Sequence, residues 1–184
     1  EGKDKNIAIL VYGDPFFATT HISLKIEAYK RGVELKVIHS SSVISSIFET
    51  GLSCYKFGKI VTIPLKSKYE NLPYSTYQSI KNNLKNGLHT ICLLDLDKEK
   101  NEFLKPNEAI RILLDAEKNY KENVINEETE ILVVCRLGFK DEKIFFNKIK
   151  NLTEKEYGNP PYLIVIPSSL SSIEKEALTL FCRE

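Results

Sequence analysis

Short apolar runs separated by longer amphipathic stretches occur along the whole sequence. The runs predict six strands, which lie near residues 6–12, 33–39, 59–64, 88–95, 130–137 and 161–167. The stretches between them carry apolar residues at three- and four-residue spacing, which is the period of a helix with one buried face. Alternation of strands and helices is typical of an α/β protein.

Two of the predicted helices have clear ends. Residues 75–86 are followed by Gly87, a common stop, and residues 106–120 begin with Pro106, which is favoured at the first helical position. Residues 66–72 are the best candidate for a loop. Two more helical stripes are interpreted as core packing, the first formed by Phe145, Ile149 and Leu152 and the second by Leu170, Ile173, Leu178 and Leu180.

The tripeptide Gly13-Asp14-Pro15 follows an apolar run and precedes an amphipathic stretch that ends at Gly32. This layout predicts a strand, a sharp turn and a helix capped by Thr19 or Thr20. Parallel sheets bind ligands where strands end and helices begin, and Asp14 would offer a carboxylate there. Most such tripeptides are plain turns, so the tripeptide alone is a weak signal.

The composition is that of a folded protein of one or two domains, with 184 residues, 42% hydrophobic and 28% charged. The net charge of +1 provides no field that would attract nucleic acid or an anionic membrane. No apolar run is long enough to span a bilayer, and no signal peptide pattern is present. We therefore expect a cytoplasmic protein.

The four cysteines are far apart, and none of the three histidines lies near another at metal-ligand spacing. We therefore expect no metal site. Cys92 and Cys135 lie inside apolar strand-like runs, which predicts buried thiols.

Several motifs appear in a fixed order along the chain. They include GDPFFATTH at 13–21, VIHSSSV at 37–43 and TGLSCYKFGK at 50–59, followed by Gly87-Leu88-His89-Thr90, Asn107-Glu108-Ala109, Cys135-Arg136 and Gly158-Asn159-Pro160-Pro161. In these residues the sequence resembles the diphthine synthases of the tetrapyrrole methylase superfamily. The resemblance covers essentially the whole chain.

The resemblance implies two α/β domains with the cofactor in the cleft between them. Residues 1–57 would be the second half of the N-terminal domain, and residues 58–184 would be the C-terminal domain. About the first 70 to 75 positions of the family have no counterpart here, a size consistent with half of such a domain. The N-terminal domain is therefore expected to be incomplete in this chain.

The resemblance also assigns a set of S-adenosylmethionine contacts. These are Asp14, Phe17, Ser42, Val43, Leu94, Leu137 and Tyr162. The residue types suit an adenine enclosed by apolar side chains and a polar tail bound by hydroxyl or carboxylate groups. A leucine in a strand usually belongs to the core, so the assignment of Leu94 and Leu137 to the cofactor site depends on the resemblance alone. The family usually has histidine where this chain has Tyr162, and any role that needs an imidazole would be lost; alternatively, the tyrosine ring only begins a buried strand.

The implied reaction is methylation of the aminocarboxypropyl-modified histidine of translation elongation factor 2, which gives diphthine or its methyl ester and S-adenosylhomocysteine. Methyl transfer to an amine requires alignment and exclusion of water more than a dedicated acid or base. No general base is identified, and His21, His39 and Arg136 are the catalytic candidates. Arg136 would pair with the carboxylate of the acceptor, or else form only a surface ion pair, and either histidine would orient the acceptor.

Two alternatives remain open at this point. One is a tetrapyrrole or RNA methyltransferase of the same superfamily. The near-neutral net charge argues against RNA as the substrate. The other is a module that binds the cofactor without catalysis. From the resemblance we also expect a homodimer, and no nucleic acid or membrane partner.

Overall fold

The computed structural model describes residues 4–182. They form two compact units, one ending at Ile47 and the other beginning at Phe48. The predicted domain boundary after residue 57 stays a prediction, because a compact unit is not by itself a domain that folds alone.

The first unit has two helices, α1 (Ile22–Lys30) and α2 (Val43–Ser46). The strands predicted at 6–12 and 33–39 are wrong, since neither segment belongs to a β-ladder among the described residues up to 47. Apolar sequence favours a strand, but a strand also needs a neighbouring backbone to complete its hydrogen bonds. Both segments leave apolar side chains exposed, as in Leu10 and Ile38.

Helix α1 begins differently from the prediction. His21 is the residue before its first turn, and no side chain caps it. The Thr19 hydroxyl donates to the carbonyl oxygen of Pro15 at 2.9 Å and accepts from the N–H of His21 at 3.4 Å, so it serves the turn before the helix and caps none of the helical N–H groups. The hydroxyl of Ser42 caps α2 instead, accepting from the backbone N–H of Ile44 at 3.1 Å.

The second unit is built on one five-stranded sheet. Its strands, in spatial order, are β1 (Val61–Ile63), β2 (Thr90–Leu94), β7 (Tyr162–Ile166), β5 (Glu130–Cys135) and β6 (Lys143–Lys148). Only the β1–β2 pair is parallel, and the other three neighbouring pairs are antiparallel. A small hairpin, β3 (Leu96–Asp97) and β4 (Glu102–Phe103), follows β2.

Helices complete this unit. They are α3 (Tyr74–Lys85), α4 (Pro106–Tyr120), α5 (Ile149–Leu152) and α6 (Ser172–Phe181), and short 3-10 helices cover Ile47–Thr50 and Cys54–Lys56. The α/β class is confirmed, as are four of the six strands and the helices predicted at 75–86 and 106–120. Residues 66–72 form a loop, as predicted.

The core of the second unit lies between the sheet and helices α3 and α4. Five consecutive residues of β5, from Ile131 to Cys135, are buried, and Tyr77 of α3 and Leu113 of α4 are fully buried. The predicted burial of Cys92 and Cys135 is confirmed. Burial raises the pKa of the Cys135 thiol to about 12, so this sulfur is unreactive at neutral pH.

Two of the predicted stripes are wrong in part. Phe145 lies in strand β6, and only Ile149 and Leu152 belong to a helix, the short α5. In α6 the buried face consists of Glu174, Ala177 and Leu178, whereas the predicted core residues Ile173 and Leu180 are exposed.

Candidate functional site

The Gly-Asp-Pro turn of the first unit is organised around the Asp14 carboxylate. One oxygen accepts from the backbone N–H of Phe16 at 2.9 Å, and the other contacts Nδ1 of His39 at 2.8 Å and the N–H of Ser40 at 3.4 Å. The Phe16 hydrogen bond and the His39 contact hold the pKa of Asp14 below its usual value. Asp14 is therefore ionised at neutral pH, and it joins the two segments that flank α1.

The other predicted residues of this unit lie in or beside the same turn. The Phe17 N–H donates to the carbonyl oxygen of Asp14 at 3.3 Å, and residue Phe17 is 42% exposed. Ser42 and Val43 follow the segment that carries His39, and a Cβ on Gly13 would lie 3.5 Å from the Ser41 carbonyl oxygen. The structure thus brings together Asp14, Phe17 and the 39–43 segment.

The two histidine candidates have different surroundings. Nδ1 of His21 lies 2.7 Å from the carbonyl oxygen of Pro15, within the turn itself. The His39 side chain is 70% exposed apart from its contact with Asp14. Of the two candidate histidines, His39 is thus the one more exposed to solvent.

In the second unit, strand register gathers the other predicted residues at one end of the sheet. Cys135 of β5 pairs with Tyr162, and Leu93 of β2 pairs with Leu163. Because β7 is antiparallel to both neighbours, its first residues lie beside the last residues of β2 and β5. Leu94, Leu137 and Tyr162 therefore share one end of the sheet, which we call the β2–β5–β7 end.

These three side chains are neither fully buried nor free in solvent. Leu94 and Tyr162 are half-buried and pack against the core, and Leu137 is half-buried in the turn after β5. The Tyr162 hydroxyl donates to the Gly158 carbonyl oxygen, and burial raises the pKa of this phenol. The β2–β5–β7 end thus offers partly open apolar and aromatic surface.

Arg136 lies at the same end and is held by its own turn. Its backbone has a φ of 54°, which is unusual for a residue with a side chain. Nε donates to Asp141 at 2.7 Å, Nη1 donates to the Pro160 carbonyl oxygen at 2.9 Å, and the guanidinium lies 4.2 Å from the Phe139 ring centre. The arginine therefore fixes the turn, and its Nη2 group donates to no residue within 4–182.

Asp95 joins the loop after β1 to the hairpin β3–β4. It accepts from the N–H of Leu65 at 3.2 Å and from Nζ of Lys68 at 2.9 Å, and its carbonyl oxygen accepts from Leu104 at 3.0 Å. Burial alone would raise the pKa of Asp95, but these donors outweigh it and the pKa lies below its usual value. The Asp95 carboxylate thus stabilises the loop after β1 by accepting hydrogen bonds from Leu65 and Lys68.

A buried polar cluster joins Ser53 and Lys56 of the TGLSCYKFGK segment to His89 and Glu174, and it was not predicted. The Glu174 carboxylate is 2% exposed and accepts from His89 Nε2 at 3.0 Å, Lys56 Nζ at 2.7 Å and the N–H of Ser53 at 3.0 Å. Nδ1 of His89 accepts from the N–H of Ser168 at 2.9 Å, so His89 is neutral with its proton on Nε2. Glu174 lies 85 to 121 positions along the chain from His89, Lys56 and Ser53, and no local pattern could pair it with them.

Both glycines of this segment stand where a side chain would collide. A Cβ on Gly51 would lie 2.2 Å from Cβ of Ala177, and one on Gly58 would lie 2.3 Å from Oδ1 of Asn83. Asn83 in turn holds the Lys59 backbone through hydrogen bonds of 3.0 and 2.9 Å. The glycines of the motif thus serve close packing, not ligand approach.

Residues 4–182 contain no group of three or more potential metal ligands. Within the same residues, no helix has the length and apolar character needed to cross a membrane.

Comparisons with known proteins point to one family. The family model for tetrapyrrole (corrin/porphyrin) methylases matches residues 1–153. A diphthine synthase from Methanocaldococcus jannaschii is 43% identical over 184 residues, covering 99% of this chain and 71% of that protein. One from Methanothermobacter thermautotrophicus is 41% identical over 174 residues, covering 94% of this chain and 66% of that protein.

Solved structures agree with the sequence comparisons. A crystal structure of diphthine synthase superposes with a TM-score of 0.85 at 28% identity, covering 98% of this chain and 67% of that one. The crystal structure of a protein from Entamoeba histolytica superposes with a TM-score of 0.87 at 32% identity, covering 94% of this chain and 69% of that one.

Proposed function

The chain belongs to the diphthine synthase family within the tetrapyrrole methylases, and from this premise we propose that it transfers methyl from S-adenosylmethionine to translation elongation factor 2. The acceptor is the amine of the aminocarboxypropyl-modified histidine, and its methylation gives diphthine; a further methyl transfer to the carboxylate of the same group would give the methyl ester. The observation that carries the proposal is 43% identity to a diphthine synthase over nearly the whole chain. Another methyltransferase of the superfamily is not favoured, because the similar proteins named above are diphthine synthases.

The residues at the β2–β5–β7 end suit the adenosyl part of the methyl donor. Leu94 and Leu137 present half-buried apolar surface, and Tyr162 adds an aromatic ring. A flat, weakly polar base binds well against such surface. We assign these three residues to donor binding, with tyrosine replacing the usual histidine of the family without an imidazole function.

The turn of the first unit suits the polar part of the donor. Asp14 is ionised, and its hydrogen bonds to Phe16 and Ser40 fix its direction. A carboxylate held in this way attracts ammonium or hydroxyl groups. We assign Asp14, Phe17, Ser42 and Val43 to donor binding as well.

The chemistry requires little beyond positioning. The bound donor supplies an activated methyl group, and the acceptor amine must be neutral and aligned with it. Arg136 has an Nη2 group with no partner in residues 4–182, and it would bind the carboxylate of the acceptor. His39, with its exposed ring, would orient the acceptor more readily than His21. We further propose that the protein acts in the cytoplasm as a homodimer.

The direct test is transfer of labelled methyl from S-adenosylmethionine to elongation factor 2 that carries the aminocarboxypropyl intermediate. We expect label on that factor and none when its modified histidine is replaced. No label on a factor shown to carry the intermediate would contradict the proposal.

The role of Arg136 has its own test. We expect Arg136→Ala to lose methyl transfer by more than tenfold while S-adenosylhomocysteine binding stays within about twofold, since a charged hydrogen bond to the acceptor contributes about 1.5–3 kcal/mol. Asp141→Asn removes the ion pair of the same turn and serves as the control. Unchanged transfer by Arg136→Ala would leave the arginine with a structural role alone.

A further inference from the structure

The side chains of Asp14 and His39 form a hydrogen-bonded pair in the first unit. Oδ2 of Asp14 lies 2.8 Å from Nδ1 of His39, and the two residues are 25 positions apart in sequence. Asp14 is ionised because its pKa lies below the usual value, and an ionised carboxylate can only accept. Nδ1 must therefore carry a hydrogen, which leaves the lone pair of the neutral ring on the other nitrogen, Nε2.

The Nε2 edge of the His39 ring is open. Within residues 4–182 no group forms a hydrogen bond with Nε2, and the side chain is 70% exposed. The Phe16 ring lies beside the imidazole, with 6.4 Å between the ring centres, and Nζ of Lys25 lies 5.5 Å from the centre of the same Phe16 ring. Nε2 is thus a basic nitrogen with a fixed tautomer and a lone pair that an incoming proton donor can reach.

His21 offers a similar nitrogen with a weaker partner. Its Nδ1 lies 2.7 Å from the carbonyl oxygen of Pro15, which also directs the lone pair of the ring to Nε2. A carbonyl oxygen is neutral, whereas the Asp14 carboxylate carries a charge that stabilises the imidazolium formed when the ring takes up a proton. Of the two histidines, His39 is therefore better suited to accept a proton.

The proposed methyl transfer needs such a base. The pKa of the acceptor amine lies between about 8, the value of a peptide α-amine, and about 10.4, the value of lysine, so most of it is ammonium at pH 7. An ammonium has no lone pair and cannot take up a methyl group. The positive sulfonium of the methyl donor destabilises a neighbouring ammonium, which then gives up its proton more readily to a nearby base.

His39 lies among the residues assigned to the methyl donor. It contacts Asp14 directly, and Ser42 and Val43 follow it in the same segment. The pair leaves room for the donor as well, because Oδ1 of Asp14 accepts only from the Phe16 N–H within residues 4–182 and keeps a free lone pair.

We propose that Nε2 of His39 is the general base of the methyl transfer and that Asp14 is its positioning residue. The acceptor ammonium gives a proton to Nε2, and the electron pair of the broken N–H bond stays on the amine nitrogen. That pair forms the bond to the methyl carbon while the carbon–sulfur bond breaks, and the electrons of the broken bond turn the sulfonium into the neutral thioether of S-adenosylhomocysteine. The imidazolium then loses its proton to solvent at the exposed edge of the ring. This role depends on the proposed function, because it assumes an amine as the acceptor.

The tautomer of His39 can be measured without donor or acceptor. Nitrogen-15 NMR of the imidazole at pH 8 distinguishes a ring nitrogen that carries hydrogen from one that does not. We expect the unprotonated nitrogen of His39 to be Nε2. A lone pair on Nδ1, or on neither nitrogen, would overturn the inference.

The pH dependence of single-turnover methyl transfer separates a base from a group that only orients the acceptor. We would compare the unsubstituted protein with His39→Asn, in which asparagine keeps an N–H that can donate to Asp14 but has no basic nitrogen. We expect His39→Asn to be about 100-fold slower at pH 7, since a general base contributes about 10²–10⁴ in rate. At pH 9.5 far more of the acceptor is already a free amine, so this deficit should shrink by at least about tenfold.

His21→Gln is the matched control, and any loss of transfer that it causes should be the same at both pH values. A deficit of His39→Asn that does not change with pH would overturn the inference and leave His39 to orient the acceptor. A deficit that shrinks with pH in His21→Gln instead would also overturn it. No transfer by the unsubstituted protein at either pH would overturn the proposed function itself.

Discussion

Gly58 shows how a single missing side chain permits the local packing. The carboxamide of Asn83 occupies the space that a Cβ at residue 58 would fill, at 2.3 Å from Oδ1 and 2.5 Å from Cγ. Asn83 is not free to move away, because it also donates to Thr90 at 3.0 Å and holds both polar groups of the Lys59 backbone. The clash is therefore steric and local.

We expect Gly58→Ala to lower the free energy of unfolding by about 2 kcal/mol, the usual cost of forcing a side chain into a packed region. Denaturant titration measures the loss. The control is the same substitution in an Asn83→Ala background, where the space is open and the added cost should fall below about 0.5 kcal/mol. An equal cost in both backgrounds would show that the collision with Asn83 is not the cause.

Residue roles of this kind could be predicted only where the signal is local. The Gly-Asp-Pro turn could be read from the sequence because its contacts, such as the hydrogen bond from Phe16 to Asp14, join residues two positions apart. The burial of Glu174 could not, because a glutamate in a helix is ordinarily exposed. The N–H of Ser171 is a local donor to its carboxylate, but the donors that bury it, His89 and Lys56, come from residues far away in the chain.

Helix α4 also orders the segment that follows it. The Glu117 carboxylate accepts from the backbone N–H groups of Asn123, Val124 and Ile125 at 2.7 to 3.1 Å, and from the Tyr77 hydroxyl at 2.7 Å. Burial alone would raise the pKa of Glu117, yet these donors hold it below its usual value. One side chain thus satisfies three N–H groups of a turn that leads into β5.

We expect Glu117→Ala to lower the free energy of unfolding by about 2–3 kcal/mol, because it leaves these donors without their charged acceptor. Asp115→Ala is the matched control on the same helix, since the only contact of the Asp115 side chain within residues 4–182 is an exposed ion pair with Lys118, and its loss should change stability by less than about 0.5 kcal/mol. Similar effects of the two substitutions in denaturant titrations would rule out this role of Glu117.

Prediction of the elements succeeded where periodicity was unambiguous. The segment that forms α4 has a proline start and an apolar face over fifteen residues, and its bounds were predicted correctly. Strand β6 was missed because Phe145, Ile149 and Leu152 happen to recur at helical spacing across a strand and a short helix. Tertiary pairing with β5 decided the outcome, and periodicity within one segment does not encode it.

At the scale of the whole molecule, the buried histidine and glutamate make stability depend on pH. Burial lowers the pKa of His89 below the 6.5 of an exposed imidazole, despite the attraction of Glu174. Below pH 6.5 the unfolded chain therefore binds more protons than the folded one, and stability falls as the pH falls. Burial alone would raise the pKa of Glu174, but hydrogen bonds from Lys56 and His89 outweigh it and hold this pKa below 4.5. The stability that the ionised Glu174 contributes is therefore lost only as the pH falls below 4.5.

We expect the free energy of unfolding to decrease between pH 7 and pH 5, and to do so less steeply in His89→Gln, which cannot titrate. Glu174→Gln should be destabilised by about 2 kcal/mol at pH 7, and its deficit should shrink as the pH falls below about 4.5. Chemical denaturation at a series of pH values measures both slopes. Parallel pH profiles for all three proteins would exclude this cluster as the source.

The fold class could be predicted from the sequence, but the pairing of the strands could not. Alternating apolar and amphipathic segments indicated an α/β protein, and the sheet of the second unit confirms it. The segments 6–12 and 33–39 look like strands in composition, yet no ladder among residues 4–47 includes them. Whether an apolar run becomes a strand depends on a partner, and that information lies outside the run itself.

The order of strands has a consequence for how the protein is made. Strand β7 lies between β2 and β5, and it is synthesised after both. Until residue 166 has left the ribosome, the nascent chain can form only two separate ladders, β1–β2 and β5–β6, and the edges of β2 and β5 lack their β7 partner. Ribosome pausing before that point would expose both edges to other chains, and insertion of one five-residue strand then closes the two half-sheets into one.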